Sequence, residues 1–348
     1  MSTMKACVYK NAGVLSIGDV PIPTPGPGDV LVKTGAASLC FSDIRVYKGE
    51  KSATPNVTLG HEVAGTIVEI GSDVSGLSIG DRVTACPIVS CGACEYCQMG
   101  KQNRCQNRTT LGYDHDGGIA EYVLLPKQLV DIGHLLKIPK DVPFDIACQN
   151  EPFACALYSL ETCKVKAGTN IAIIGAGPMG LTHLILAKHL GATNILVIDQ
   201  IDERLTAAKN LGATQTLNHL DEETAANVLK KANGVGFDAV IVTVGNAEVI
   251  EASVHLARKQ GWINIFGGSP PSSKVSLDPN LIHYNELFVT GTQNAPVDHY
   301  KRSLRLLTEI QDEIHAMVTH EFHIENAIDA FTARTKMDGL KAVIKFDK

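Results

Sequence analysis

Short runs of alternating apolar and polar residues fill the first part of the chain. MKACVYK, DVLVKTGAAS, EVAGTIVEIG, DRVTACPI and GGIAEYVLLP are rich in strand-forming residues and punctuated by Gly and Pro. They predict a barrel-like, all-β arrangement with long loops. PIPTPGPGD reads as a turn-rich connector. The pattern changes after about residue 150. EPFACALYSLETCKV has apolar residues at helical spacing. NIAIIGAGPMGLTHLILAKHLGATNILVIDQ then reads as a buried strand, a glycine turn, an apolar helix and a second buried strand ending in Asp199. DERLTAAKNLGA predicts a helix, TQTLN and FDAVIVTVG strands, EVIEASVHLA a helix, GWINIFGG a strand and LFVTGT a sixth. Strands alternating with helices make a parallel, doubly wound sheet, so the chain is of the α/β class. The tail from about Asp298 holds an amphipathic helix, YKRSLRLLTEIQ, and a strand, KAVIKF, expected to return to the first domain.

Composition narrows the possibilities. A chain of 348 residues exceeds what one core usually holds, so two domains are expected. Its net charge of -6 argues against nucleic-acid binding. The N-terminal MSTMKACVYKNAGVL has no basic region followed by a long apolar run, and no apolar stretch is long enough to span a bilayer. Ten cysteines without a secretory signal point to a reducing, cytoplasmic compartment and to metal ligation.

Four of those cysteines carry the strongest single signal. Cys91, Cys94, Cys97 and Cys105 form C-x2-C-x2-C-x7-C. Four thiolates at this spacing can close a tetrahedron around a structural zinc ion and leave no position for water. Cys7, Cys86, Cys148, Cys155 and Cys163 have no ligand spacing and read as small apolar residues.

Gly175-Ala176-Gly177-Pro178-Met179-Gly180 fits G-x-G-x-x-G between a buried strand and an apolar helix, the context in which a dinucleotide pyrophosphate is bound. Asp199 follows nineteen residues beyond Gly180, where a carboxylate accepts hydrogen bonds from ribose hydroxyls and repels a 2′-phosphate. NAD is therefore expected over NADP, although Arg204 keeps NADP open. Val244, Phe266 and Thr292 complete the expected cofactor-binding set.

A second metal site is suggested by Cys40, His61 and Glu62, in LCFSD and GHEVAG. Cys and His suit zinc, and Asp43 could orient His61 through its second ring nitrogen. LCFSD, LGHEVAG, GDRV, the four-cysteine loop, DGGIAEYV, NEP and GAGPMG occur in the order seen in zinc-dependent medium-chain dehydrogenases, which the chain resembles over essentially its whole length. The resemblance implies a GroES-like, β-rich catalytic domain at 1–149 and 295–348, with an inserted Rossmann domain at 150–294. It implies two zinc ions per chain, NAD as cofactor and a homodimer or homotetramer.

The same resemblance makes Cys40 and His61 catalytic zinc ligands and places the third ligand at Glu151. Glu62 is the fourth candidate, binding the metal directly or holding its water. Ser42 would relay the proton of the substrate alcohol. Arg45 stands where liver-type enzymes have a relay histidine, so the outer relay departs from theirs. Glutamate followed by proline at 151–152 is similar to the polyol branch, including sorbitol and galactitol-phosphate dehydrogenases. The implied activity is hydride transfer between a secondary hydroxyl of a sugar alcohol and NAD. A threonine-type or simple secondary-alcohol dehydrogenase is the nearest alternative, and a non-catalytic NAD(P)-binding module the alternative from another class. Arg45, Lys48 and Lys51 form a cationic loop that suits either a substrate phosphate or plain solvent exposure. His115, in GYDHDGG, would face the pocket or serve a turn.

Overall fold

A computed structural model describes residues 2–231 and 235–346. They form two compact units, Met1–Ala154 with Ala295–Lys348, and Cys155–Asn294.

The first unit is built on a seven-stranded sheet. Its centre is the strand Val30–Ser38, which pairs antiparallel with Glu62–Ile70 along one edge. On the other edge its first half pairs with Tyr122–Leu125 and its second half with Lys341–Lys345. This register sets Ser38 opposite both Glu62 and Val343. Two distant parts of the chain thus meet at one point of the sheet. Leu39, Ile44, Leu59, Ile119 and Phe331 pack beside it in a buried cluster.

The second unit is the doubly wound α/β domain. Its six parallel strands run in the order Gln215–Leu217, Asn194–Ile198, Asn170–Ile174, Phe237–Val242, Ala257–Ile265, Phe288–Gly291. The central strands are buried on both faces, which is why they read as continuous apolar runs rather than alternating ones.

The structure departs from expectation in four places. Val14–Pro21 is a strand, paired with Thr3–Asn11, and Val318–His323 is another. Neither has a fully buried residue and both are mixed in polarity, so they lack a burial signal. DRVTACPI breaks into Arg82–Ala85 and Ile88–Val89, because Pro87 cannot donate to a ladder. LCFSD is not a simple turn: Cys40 is the N-cap of a short helix, Phe41–Tyr47. No helix among the described residues is long and apolar enough to cross a membrane.

Candidate metal and cofactor sites

Folding brings ligand atoms of Cys40, His61 and Glu62 within 4.8 Å of one another. The helix Phe41–Tyr47 aims Cys40, and the Asp43 Oδ2 three residues on accepts the Cys40 backbone N–H at 3.0 Å. Asp43 Oδ1 accepts from His61 Nδ1 at 3.2 Å, which leaves Nε2 for a metal. Burial opposes the charge on Asp43, but His61 and the Cys40 amide hold its carboxyl below the usual range. Burial likewise opposes protonation of His61, and the charges of Asp43 and Cys40 overcome it.

Glu62 is fully buried. Its Oε2 accepts from Ser38 Oγ and, at 2.5 Å, from the ammonium of buried Lys341. Its Oε1 is buried with no hydrogen-bond partner. A buried carboxylate oxygen left without a donor, beside a thiol and an imidazole, suits a borderline cation such as zinc.

Glu151, the third ligand implied by resemblance, lies outside this trio. It is buried near the start of the helix Asn150–Thr162, and Tyr300 Oη donates to its Oε1 at 3.5 Å. Its charge is nevertheless felt at Lys51 and Tyr113. Ser42 Oγ donates to Cys40 Sγ at 3.1 Å and sits 2.7 Å from the hydroxyl of Tyr113.

Tyr113 is the residue that sequence reasoning missed. Its hydroxyl donates to Asp43 Oδ1 at 3.2 Å and lies 3.1 Å from His61 Nδ1. Burial and the Asp43 charge push its pKa well above the ordinary tyrosine value, so it acts as a neutral hydroxyl. It stands in the GYDHDGG loop, but nothing in the spacing separates it from a packing aromatic. His115, in the same loop, bonds Thr109 Oγ1 at 2.8 Å in a local turn. Of the cationic loop, Arg45 reaches Glu50 at 3.7 Å, Lys48 is exposed, and only Lys51 turns inward, its Nζ 3.6 Å from the Tyr113 ring centre.

The thiols of Cys91, Cys94, Cys97 and Cys105 also converge within 4.8 Å, and all ten cysteines are free of disulfides. Sulfur separations are 3.5 Å for Cys94–Cys97, 3.5 Å for Cys91–Cys105 and 4.0 Å for Cys91–Cys97. A tetrahedron with bonds of about 2.3 Å has edges of about 3.8 Å, so the cage fits zinc. Backbone N–H groups of Cys91 and Cys94 donate to Cys105 Sγ and Cys91 Sγ, both at 3.3 Å, as thiolates would require. Cys7, Cys86 and Cys163 lie outside both ligand clusters, in keeping with a packing role, and burial pushes their thiols up to about 12.

In the second unit, Gly175 has φ 98°, and a Cβ there would meet Thr243 Oγ1 at 2.4 Å. A Cβ on Gly180 would lie 1.7 Å from the Gly175 carbonyl oxygen, so only glycine lets the helix Pro178–His189 seat on the turn. Gly177 is different: a Cβ would meet nothing nearer than Arg204 Nη1 at 3.8 Å. The space it leaves is a cradle open to a ligand, at the N-terminus of a twelve-residue helix. Met179 lies in the first turn of that helix, and its carbonyl accepts from His183 Nδ1 at 2.6 Å.

Asp199 accepts from the amides of Ala176 at 2.7 Å and Ile201 at 2.9 Å, and Arg204 Nη1 lies 3.8 Å from its Oδ2. Val244 borders the turn. Phe266 packs edge-on against His183, and Thr292 is buried in a network with Asn264.

These features define a zinc- and nucleotide-binding type of protein. Residues 26–139 match the model of the alcohol dehydrogenase GroES-like domain, and residues 178–309 match that of the zinc-binding dehydrogenases. L-threonine 3-dehydrogenase of Pyrococcus furiosus is 33% identical over 310 residues, 87% of each chain. A zinc-binding dehydrogenase structure from Sinorhizobium meliloti, bound to NADP, is 34% identical with a TM-score of 0.90, covering 99% of this chain and 100% of that one. The structure of 2R,3R-butanediol dehydrogenase from Bacillus subtilis is 28% identical with a TM-score of 0.89, at the same coverage. The chain belongs to the zinc-dependent medium-chain dehydrogenases and is an oxidoreductase of the alcohol dehydrogenase type. Its fold is the GroES-like plus Rossmann combination, and its cofactors are zinc and a nicotinamide dinucleotide.

Proposed function

We propose that the chain oxidises a secondary hydroxyl that has a second heteroatom on the neighbouring carbon, with sugar alcohols as the first substrate class and NAD as acceptor. The observation that carries this reading is the convergence of Cys40, His61 and Glu62 beside the Ser42 hydroxyl. Zinc, when bound there, supplies a Lewis acid that lowers the pKa of the substrate hydroxyl. Ser42 relays the proton, accepting it as its own hydroxyl proton passes on towards solvent, and Tyr113 holds the Ser42 hydroxyl in place. Asp43 orients His61, and Lys341 offsets the charge of Glu62. Glu151, outside the trio here, would by the resemblance add a carboxylate where liver-type enzymes have a thiolate, a harder donor that favours oxygen-rich substrates.

The names of the relatives support the vicinal-heteroatom class. The Bacillus subtilis protein is named for a vicinal diol and the Pyrococcus furiosus protein for an amino alcohol. L-Threonine is therefore the second reading. Asp199 supports NAD over NADP, with Arg204 beside it as the group able to receive a 2′-phosphate. Ten free thiols support a reducing compartment, in keeping with a cytoplasmic location. The terminal strand Phe288–Gly291 ends the sheet of the second unit without a further partner among the described residues, an edge that supports self-association as a homodimer or homotetramer. The test is steady-state NAD reduction with pentitols, hexitols, 2,3-butanediol, L-threonine and 2-butanol. Equal kcat/KM for 2-butanol and the best vicinal substrate removes the assignment.

A further inference from the structure

The strand Thr3–Asn11 has two buried faces with different surroundings. Cys7 and Tyr9 join the cluster of Leu39, Ile44 and Tyr113, while Met4, Ala6 and Val8 join a separate one with Ala120. Side chains alternate along a strand, so the second face points away from the Tyr113 side. A cleft of about 670 Å³ opens over it, within the first unit. Small-molecule sites run from about 300 to 1,000 Å³, so the volume admits one organic molecule. No described residue of the two metal clusters lines it.

The floor of the cleft is apolar. Met4 and Val8 supply it with Val20 of the paired strand Val14–Pro21, and with Tyr122 and Leu124. Tyr122 and Leu124 alternate with Val123 and Leu125, which enter the core of the seven-stranded sheet. Pro21, Pro23, Pro55 and Pro126 line the walls and stiffen their backbone.

The polar lining comes from two segments that are bonded together. Thr58 N–H donates to Asp116 Oδ1 at 2.8 Å, and Thr54 N–H to Tyr113 O at 2.8 Å. Asp114 Oδ2 accepts from the Thr110 amide at 2.9 Å. Asp114 and Asp116 both line the cleft, and each keeps one carboxylate oxygen unused. Neither is ion-paired among the described residues. Lys10, also on the lining, donates instead to Asn56 Oδ1 at 3.0 Å. Thr58 is 3% exposed and lines the cleft, and its hydroxyl has no partner among the described residues. An ammonium bonded to a carboxylate makes a charge-assisted hydrogen bond, and an aromatic ring in the floor adds attraction for a cation.

We propose that this cleft is a second ligand site, apart from the candidate oxidation centre, and that it takes a small organic cation: a primary amine with an aromatic or branched apolar body. The body lies on Met4, Val8, Val20, Tyr122 and Leu124. The ammonium donates to the unused oxygens of Asp114 and Asp116 and to the Thr58 hydroxyl.

The test is calorimetric titration of the zinc-loaded enzyme with tryptamine, and with indole-3-propionamide and indole-3-propionate as neutral and anionic counterparts of similar shape. Tryptamine is expected to bind about tenfold or more tightly than the propionamide, and the propionate more weakly still. Asp114→Asn and Asp116→Asn keep an acceptor for the Thr110 and Thr58 amides. Combined, they should weaken tryptamine about tenfold and leave the propionamide unchanged. Thr58→Val should weaken tryptamine about threefold, and Lys10→Met should tighten it. Val20→Phe fills the floor and should abolish binding of both compounds. An amine can also ligate zinc, so the titration is repeated with Cys40→Ser, where tryptamine affinity should hold. Loss of affinity in Cys40→Ser puts the amine at the metal and overturns the site. Absence of saturable tryptamine binding below about 10 mM, or binding that ignores the aspartate and Val20 variants, also overturns it. Acetyl-Ala-Leu-Leu-Lys-amide that competes with tryptamine and binds more tightly rejects the free amine in favour of a protein segment.

Discussion

Lys341 donates to Glu62 Oε2 at 2.5 Å, with both side chains buried, across 279 residues of sequence. Strand pairing brings this about: Glu62 and Val343 both face Ser38. Burial disfavours the Lys341 charge, but Glu62 and then Cys40 raise its pKa above the ordinary lysine value. Lys341→Met would leave the Glu62 carboxylate buried without its cation, at a cost of about 3–5 kcal/mol. Adding Glu62→Gln should recover part of that loss. Urea unfolding of the single and double variants checks the coupling, and purely additive effects would contradict it.

The two metal clusters should differ in exchange. The four-thiolate cage has four protein ligands and no open position, whereas the Cys40 cluster, on the proposed reading, admits substrate. Metal analysis should find two zinc ions per chain, and dialysis against a chelator should remove one first, with loss of activity and retention of fold. Cys40→Ser should retain only the ion held by the four-cysteine loop. A metal content unaffected by Cys40→Ser would reject the assignment.

Tyr113→Phe removes one hydroxyl that touches Ser42, Asp43 and His61. We expect kcat to fall about 10- to 100-fold, with zinc content and thermal stability near wild type. The effect should be much smaller in a Ser42→Ala background, since Tyr113 works through that hydroxyl. Equal losses in both backgrounds would argue against this.

Asp199 ties down the glycine turn, and on the proposed reading it also holds the cofactor ribose. Asp199→Ala should weaken NAD by about 1–3 kcal/mol and relax discrimination against NADP, because Arg204 loses its neighbouring carboxylate. Arg204→Ala should move the preference the other way. Cofactor ratios that stay fixed in both variants would show that neither residue reads the ribose.

Two buried histidines make stability depend on pH. His134 and His183 each donate from Nδ1 to a backbone carbonyl, of Ile88 and Met179, and each has a buried Nε2 with no partner. Burial pushes both pKa values down to about 4 from 6.5. For His134 the Lys301 charge adds to this. The unfolded chain therefore binds more protons below pH 6.5, so stability is full above 6.5 and is lost as pH falls towards 4. The loss is on the order of 3 kcal/mol for each histidine. Replacing both with Asn, which retains a donor near Nδ1, should flatten urea-unfolding stability across that window.

The sequence by itself determined the parts whose chemistry is local. The four-cysteine cage needs thiols within one loop, and their spacing alone predicts it. The glycine turn is equally local, because a Cβ on Gly180 would lie 1.7 Å from the Gly175 carbonyl oxygen, which leaves no room for another residue. Buried parallel strands announce themselves as unbroken apolar runs. The strands Val14–Pro21 and Val318–His323, without a fully buried residue, do not, since their partners and not their composition make them strands.

Tertiary structure decided everything that depends on meetings between distant segments. The Glu62–Lys341 pair follows from which half of Val30–Ser38 the tail joins. Tyr113 reaches Ser42, and Lys51 reaches Tyr113, only when the loops that carry them fold together. Side-chain hydrogen bonds and charge pairs act over a few ångströms in space, and no residue spacing along the chain records that distance.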